Sequence, residues 1–176
     1  TIYNYFASKQ LLLAALDLRG VKIEEEGFLK AYKSGKNGLD RTLGINRFYF
    51  RYAMENRVRF MAKVQIGRLS PTIFDQLSDE KLMKEYVQAT KKIHQILADA
   101  INDGINDGSI RSDLIPERIS LLLWSQSNGV IEIVQNRGEM IESALAITVK
   151  QIEDDFFRAM KLQLAAPETK GDSVIS

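Results

Sequence analysis

Cysteine is absent from the 176 residues, which removes disulfides, thiolate metal sites and cysteine nucleophiles together. Proline is scarce, at Pro71, Pro116 and Pro167, so few positions force a break in a helix. No charge sign dominates: 24 Lys and Arg stand against 23 Asp and Glu, a net +1 that gives no general attraction to polyanions. A membrane-length apolar run is also missing. The longest, Leu11 to Leu16, falls far short of the ~20 residues a spanning helix needs. It has no basic stretch before it, and Asp17 follows directly, so it reads as a core helix and not as a signal peptide.

What remains is an ordinary globular balance, 45% hydrophobic and 27% charged, in a chain large enough to bury roughly 70% of its unfolded surface. Apolar residues recur at spacings of three and four, and strand-like alternation does not persist, so the fold class is all-α. Ser8 is a plausible N-cap for a helix to about Tyr32, with Leu11, Ala15, Leu18 and Leu29 facing inward. Ser34 to Gly38 breaks it. Helices follow over about 39–55 and 57–69, the latter stopped by Ser70-Pro71. Ser78-Asp79-Glu80 opens another, striped by Leu82, Tyr86, Ile93, Leu97 and Ile101 and ended near Gly108. Pro116 opens a helix carrying Ile119, Leu122, Leu123, Val130 and Ile133. A last long helix is expected over about 141–162, on Leu145, Val149, Ile152, Phe156 and Met160, before a loose polar tail at 165–176.

Enzyme chemistry finds little support. His94 is the single histidine, and Lys91 occupies the place a di-iron Glu-x-x-His motif would need a carboxylate. No nucleophile elbow, phosphate-cradling loop or dinucleotide fingerprint occurs, so no catalytic residue, metal or cofactor is expected. The two Asn-Asp-Gly repeats, Asn102 to Gly104 and Asn106 to Gly108, lack the alternating acids and closing glutamate of a calcium loop. Glu153-Asp154-Asp155 reads as a solvated helix face.

The segment Thr1-Ile2-Tyr3-Asn4-Tyr5-Phe6-Ala7-Ser8-Lys9-Gln10-Leu11-Leu12 closely resembles the end of the helix-turn-helix domain of the TetR family of transcriptional regulators. There an aromatic-rich recognition helix ends and a Ser-Lys turn enters a long linker helix. The Trp124-to-Gly129 spacing and the loop Gly108 to Asp113 are similar to the penultimate helix of such regulators and the loop before it. Without that continuation, Tyr3, Tyr5 and Phe6 would read as an apolar staple under Leu11 and Leu12.

The resemblance implies a TetR-like architecture. Residues 1–7 would end the recognition helix, 8–164 would form a helical ligand-binding and dimerisation domain, and 165–176 a tail. It further implies a cytoplasmic, ligand-responsive transcriptional repressor working as a homodimer on operator DNA through an intact helix-turn-helix. The base-reading half of that element would precede Thr1. Thr1, Tyr3 and Lys9 could then touch only phosphates.

Tyr49, Tyr52, Phe60, Met61, Val64, Tyr86, His94 and Trp124 are the candidate lining of a pocket for an amphipathic or hydrophobic effector. For Tyr49 and Tyr52 core packing is the default and a pocket wall the sharper alternative, and His94 reads first as a packed or hydrogen-bonded side chain and only then as a ligand contact. The last two helices bear apolar residues on more than one side, so Leu121, Trp124, Ile131, Val134, Val149, Ile152 and Phe156 are expected at the dimer interface. A helical dimeric sensor or scaffold acting through protein partners, without DNA, is the alternative from another class.

Overall fold

A computed structural model describes residues 9–68 and 80–167, with the side chains of Lys9 and Gln10 outside that description. Every regular element within them is a helix: α1 (Lys9–Ser34), α2 (Gly38–Glu55), α3 (Arg57–Gly67), α4 (Glu80–Asn106), α5 (Pro116–Leu145) and α6 (Val149–Leu164). None of these is long and apolar enough to cross a membrane. Helix α1 packs along α4, α2 and α3, while α5 closes over α2 and α4, and α6 covers α2 and α5. The core runs through the middle of this bundle, from Val21 and Phe28 through Leu43, Tyr49 and Ile101 to Leu123, Ile131 and Met160.

Local chemistry explains the joints. The Asn37 side chain accepts from the Asp40 amide and caps α2, and Asp107, from beyond the end of α4, accepts from the Gly38 amide at 2.7 Å. Asp103 holds the same corner, accepting from Arg41 at 2.5 Å and from the Tyr32 hydroxyl. The Asn-Asp-Gly repeats therefore work as clamps between helices. Gly38 is required here because its backbone meets Gly104: a Cβ on it would lie 1.9 Å from the Gly104 nitrogen. Gly108, at φ 76°, turns the chain out of α4.

Three expectations need correction. No helix begins at Ile141. α5 continues to Leu145 and breaks at Ala146 in the left-handed region, and α6 starts at Val149 under a Thr148–Gln151 capping box. Leu29 is exposed; the inner face of α1 is Leu11, Ala14, Asp17, Leu18, Val21, Glu24 and Phe28, two of them acids. The chain also stays fixed beyond Leu164, because the Ala166 amide donates to Ser109 and the Arg111 amide to Leu164. Ser8, Ser70-Pro71, Ser78 and the tail from 168 onward lie outside the described residues.

Candidate functional site

Two acids on the inward stripe of α1 create an unusual interior. Asp17 and Glu24, two helical turns apart, are 1% and 3% exposed. Opposite them, Lys63 lies on α3 midway between the buried Phe60 and Ile66, a spacing that turns it inward. Its ammonium donates to both Glu24 oxygens at 2.6 Å and stands 5.0 Å from the centre of the Tyr49 ring. Burial opposes its charge, but Tyr49, Glu24 and Asp17 outweigh burial and hold the ammonium above the usual lysine range.

The Tyr86 hydroxyl on α4 donates to Asp17 Oδ2 at 2.8 Å. Burial raises the Asp17 carboxyl above its ordinary range, and Lys63 and Tyr86 offset this only in part. Burial likewise raises the Tyr86 hydroxyl, with Asp17 adding to it.

Helix α2 supplies the floor. The Tyr49 hydroxyl donates to Asn128 Oδ1 on α5 at 2.5 Å, and its ring meets Phe28 edge to face at 6.2 Å. Asn46 accepts from Ser127 at 3.3 Å and donates to the Thr42 carbonyl at 2.8 Å. His94 and Trp124 meet edge to face at 5.5 Å, and burial, with the Lys63 charge, lowers the His94 pKa. A void of about 10 Å³ remains among Phe28, Asn46, Tyr49, Ile93, His94, Leu97 and Trp124. That is room for about one water molecule, so an effector entering here must push side chains apart.

The pocket candidates are therefore divided. Tyr49, His94 and Trp124 border the void, while Tyr86 belongs to the charged cluster beside it. Tyr52 stacks on Phe48 at 5.9 Å and accepts from Arg59 at 3.2 Å. Phe60 is buried in the core, and Met61 and Val64 are half-buried on α3 away from the void. Asp17, Glu24, Lys63, Asn46 and Asn128 were not anticipated. The available signal was a pair of acids seven apart on an apolar stripe, with a lysine three residues from each of two core positions.

The candidate interface residues divide too. Ile131 and Val134 are 0% and 4% exposed within this chain's own core, so neither is available to a partner. The inner seam of α5 is built on Ser120, Leu123, Ser127, Ile131, Val134 and Gly138. Small polar residues on that seam allow close approach: a Cβ on Gly138 would meet Val149 at 3.3 Å. Leu122 and Ile133, expected inside, are exposed instead, as are Leu121, Met140 and Leu162. Val149, Ile152 and Phe156 are half-buried, Phe156 against Phe50 at 6.3 Å, and Trp124 is half-buried against His94. Thr1 and Tyr3 lie outside the described residues. Lys9 opens α1.

Solved structures share this arrangement. A bacterial regulatory protein of the TetR family from Rhodococcus RHA1 superposes with a TM-score of 0.68 at 17% identity, covering 95% of this chain and 80% of that one. The fold is that of the TetR regulators. A protein of unknown function from Rhodococcus sp. RHA1 has the same fold, with a TM-score of 0.69 at 16% identity, covering 91% of this chain and 76% of that one. Escherichia coli NemR in its reduced form also has it, with a TM-score of 0.60 at 16% identity over 95% of this chain and 80% of that one. No protein-family model and no curated protein matches the chain by sequence. Within this TetR fold, the 176 residues offer no thiol that oxidation could address.

Proposed function

We propose that this chain is the effector-binding and dimerising part of a ligand-responsive transcriptional regulator, a repressor acting as a cytoplasmic homodimer on operator DNA. The observation that carries the reading is the TetR fold over nearly the whole described chain, shared with a protein whose description is that of a TetR-family regulator. The charged and aromatic interior between α1 and α5 supports an effector site, since buried polar groups in an aromatic surround are what a small molecule needs for orientation. Tyr49, His94 and Trp124 form its apolar end, and Asp17, Lys63 and Tyr86 its polar end. In this reading Thr1, Tyr3 and Lys9, in the segment that resembles the end of a helix-turn-helix, would touch phosphates only.

Helix α1 connects the two functions physically, because it carries Asp17 and Glu24 into the site and begins at Lys9, within the segment that resembles the end of a helix-turn-helix domain. An effector that opens the collapsed interior tilts α1 and shifts the two recognition helices of the dimer from the 34–36 Å spacing that successive major grooves require, a figure of about that size for helix-turn-helix dimers. Moving the population from 1:99 to 99:1 takes about 5.5 kcal/mol of differential affinity. No enzymatic reaction is part of this reading.

The test is to incubate the intact gene product with fragmented genomic DNA at physiological salt and sequence what is retained. A small set of sites with two-fold symmetry, released by an effector that also raises the melting temperature, is expected. Retention without sequence preference would overturn the regulator reading and favour a scaffold that acts through protein partners.

A further inference from the structure

Seven side chains enclose the void beside Trp124, and only two of them, His94 and Trp124, are half-buried. The other five, among them Phe28, Tyr49 and Leu97, are buried, so the two rings are its outer wall. His94 also lines a second space, a groove of about 350 Å³ open to the surface between α4 and α5. Lys91 and Gln95 stand beside it on the α4 wall, with Glu117 and Leu121 on the α5 wall. The imidazole therefore separates the groove from the void. It meets the Trp124 ring edge to face at 5.5 Å and, among the described residues, makes no hydrogen bond or ion pair. A half-buried ring without a polar anchor changes rotamer more readily than one tied to a partner.

We propose that His94 is the door of the effector site and the α4–α5 groove its mouth, admitting an uncharged molecule with a slender apolar end and a hydroxyl or amide head. The inference rests on the effector-binding reading above and specifies its route and its ligand. Volume supports the route. The void alone, about 10 Å³, holds about one water, whereas the groove brings the site into the roughly 300–1,000 Å³ of small-molecule sites. With His94 turned aside the two spaces join, and the apolar end passes Trp124 to lie against Phe28, Ile93 and Leu97.

Polarity assigns the two ends. Asn46 is paired with Ser127 and with the Thr42 carbonyl, and the Tyr49 hydroxyl with Asn128. A charge carried into the void would lose its hydration and find these partners taken. The groove differs. Lys91 stands on one wall and Glu117 on the other, both exposed, so neither sign of charge is favoured there. Gln95 gives an amide hydrogen to Asp99 at 2.8 Å; its carbonyl oxygen is an acceptor, and the Lys91 ammonium a donor. A hydroxyl or amide head donates and accepts, and so matches both.

Entry is tested with 4-phenylbutanol on the intact protein, followed in time by the fluorescence of Trp124 and at equilibrium by thermal shift. The 176 residues contain no cysteine, so a thiol can be set at a chosen place. Gln95→Cys, on the groove wall, and Val58→Cys, 79% exposed on α3 and outside the groove, are each labelled with N-cyclohexylmaleimide. The label at position 95 is expected to slow association at least about tenfold, and the label at position 58 to leave it unchanged. His94→Ala removes the door and should speed association by about the same factor. 4-Phenylbutylammonium and 4-phenylbutanoate should both bind more weakly than the alcohol. If His94→Ala does not fold, the labelled pair decides. Unchanged association with the label at position 95 overturns the route, and parent-like association in His94→Ala overturns the door; both leave the effector site standing. Equal or tighter binding of either charged probe overturns the uncharged ligand. No response to any of the three up to millimolar concentration overturns this inference and the effector-binding reading together.

Discussion

Lys63 governs the interior charge balance, and its removal should be costly. Lys63→Met leaves Glu24, whose side chain is 4% exposed, as a buried charge without its partner. A loss of about 3–5 kcal/mol is expected, and Lys63→Met with Glu24→Leu should recover most of it because neither charge then remains. Urea unfolding of the two variants checks this; a Lys63→Met protein as stable as the parent would mean the pair is solvated. His94 yields a pH prediction. Its folded pKa lies below the unfolded value of about 6.5, so the neutral imidazole is the form the native state favours. Its contribution is complete above that value and is lost as pH falls through the folded pKa. Between pH 8 and 5 the parent should lose more stability than His94→Gln, and parallel curves would contradict the assignment.

At the scale of elements, the joint between α5 and α6 is where sequence periodicity misleads. Ala144 to Val149 carries no glycine or proline, so the apolar pattern continues while the backbone turns at Ala146, φ 54°. A left-handed alanine is strained by roughly 1–2 kcal/mol, and glycine removes the strain while adding freedom to the unfolded chain. Ala146→Gly should therefore raise stability modestly, by about 0.5–1 kcal/mol, and Thr148→Ala should lower it by about 1 kcal/mol through loss of the cap. At the opposite joint, Gly38→Ala forces a Cβ into the backbone of Gly104 and should destabilise by about 3 kcal/mol or more. Denaturant midpoints of the three variants, ordered otherwise than this, would show that these joints are not as tight as their geometry implies.

For the whole molecule, the outer face of α5 is the feature a lone chain leaves uncovered. Leu122, Ser125, Gly129, Ile133 and Met140 recur at helical spacing along it, with Ile133 52% and Met140 58% exposed. Leu162 on α6 is exposed as well, at 75%. A second copy seated on these faces would bury them in a four-helix bundle. Light scattering at micromolar concentration should therefore give about twice the 20.0 kDa chain mass, and Ile133→Arg should return it to a single chain without lowering the helix content. A single-chain mass for the parent across that range would refute the dimer.

Among the described residues, the six helices, the starts of α2, α3 and α5, the turn at Gly108 and the TetR-like plan were legible in the chain, because local spacing, caps and breakers act within a few residues of one another. Which side of α5 faces inward was not. Both of its sides are apolar, and close packing of Ser120, Ser127 and Gly138 placed Ile131 and Val134 inside while leaving Leu122 and Ile133 outside. The interior cluster was hidden for the same reason. The spacing of Asp17, Glu24 and Lys63 within their own helices turns them inward, but only the crossing of α1 with α3 and α4 gives each a partner. Pairwise contact between residues 39 and 69 positions apart is decided by tertiary packing, which no local pattern encodes.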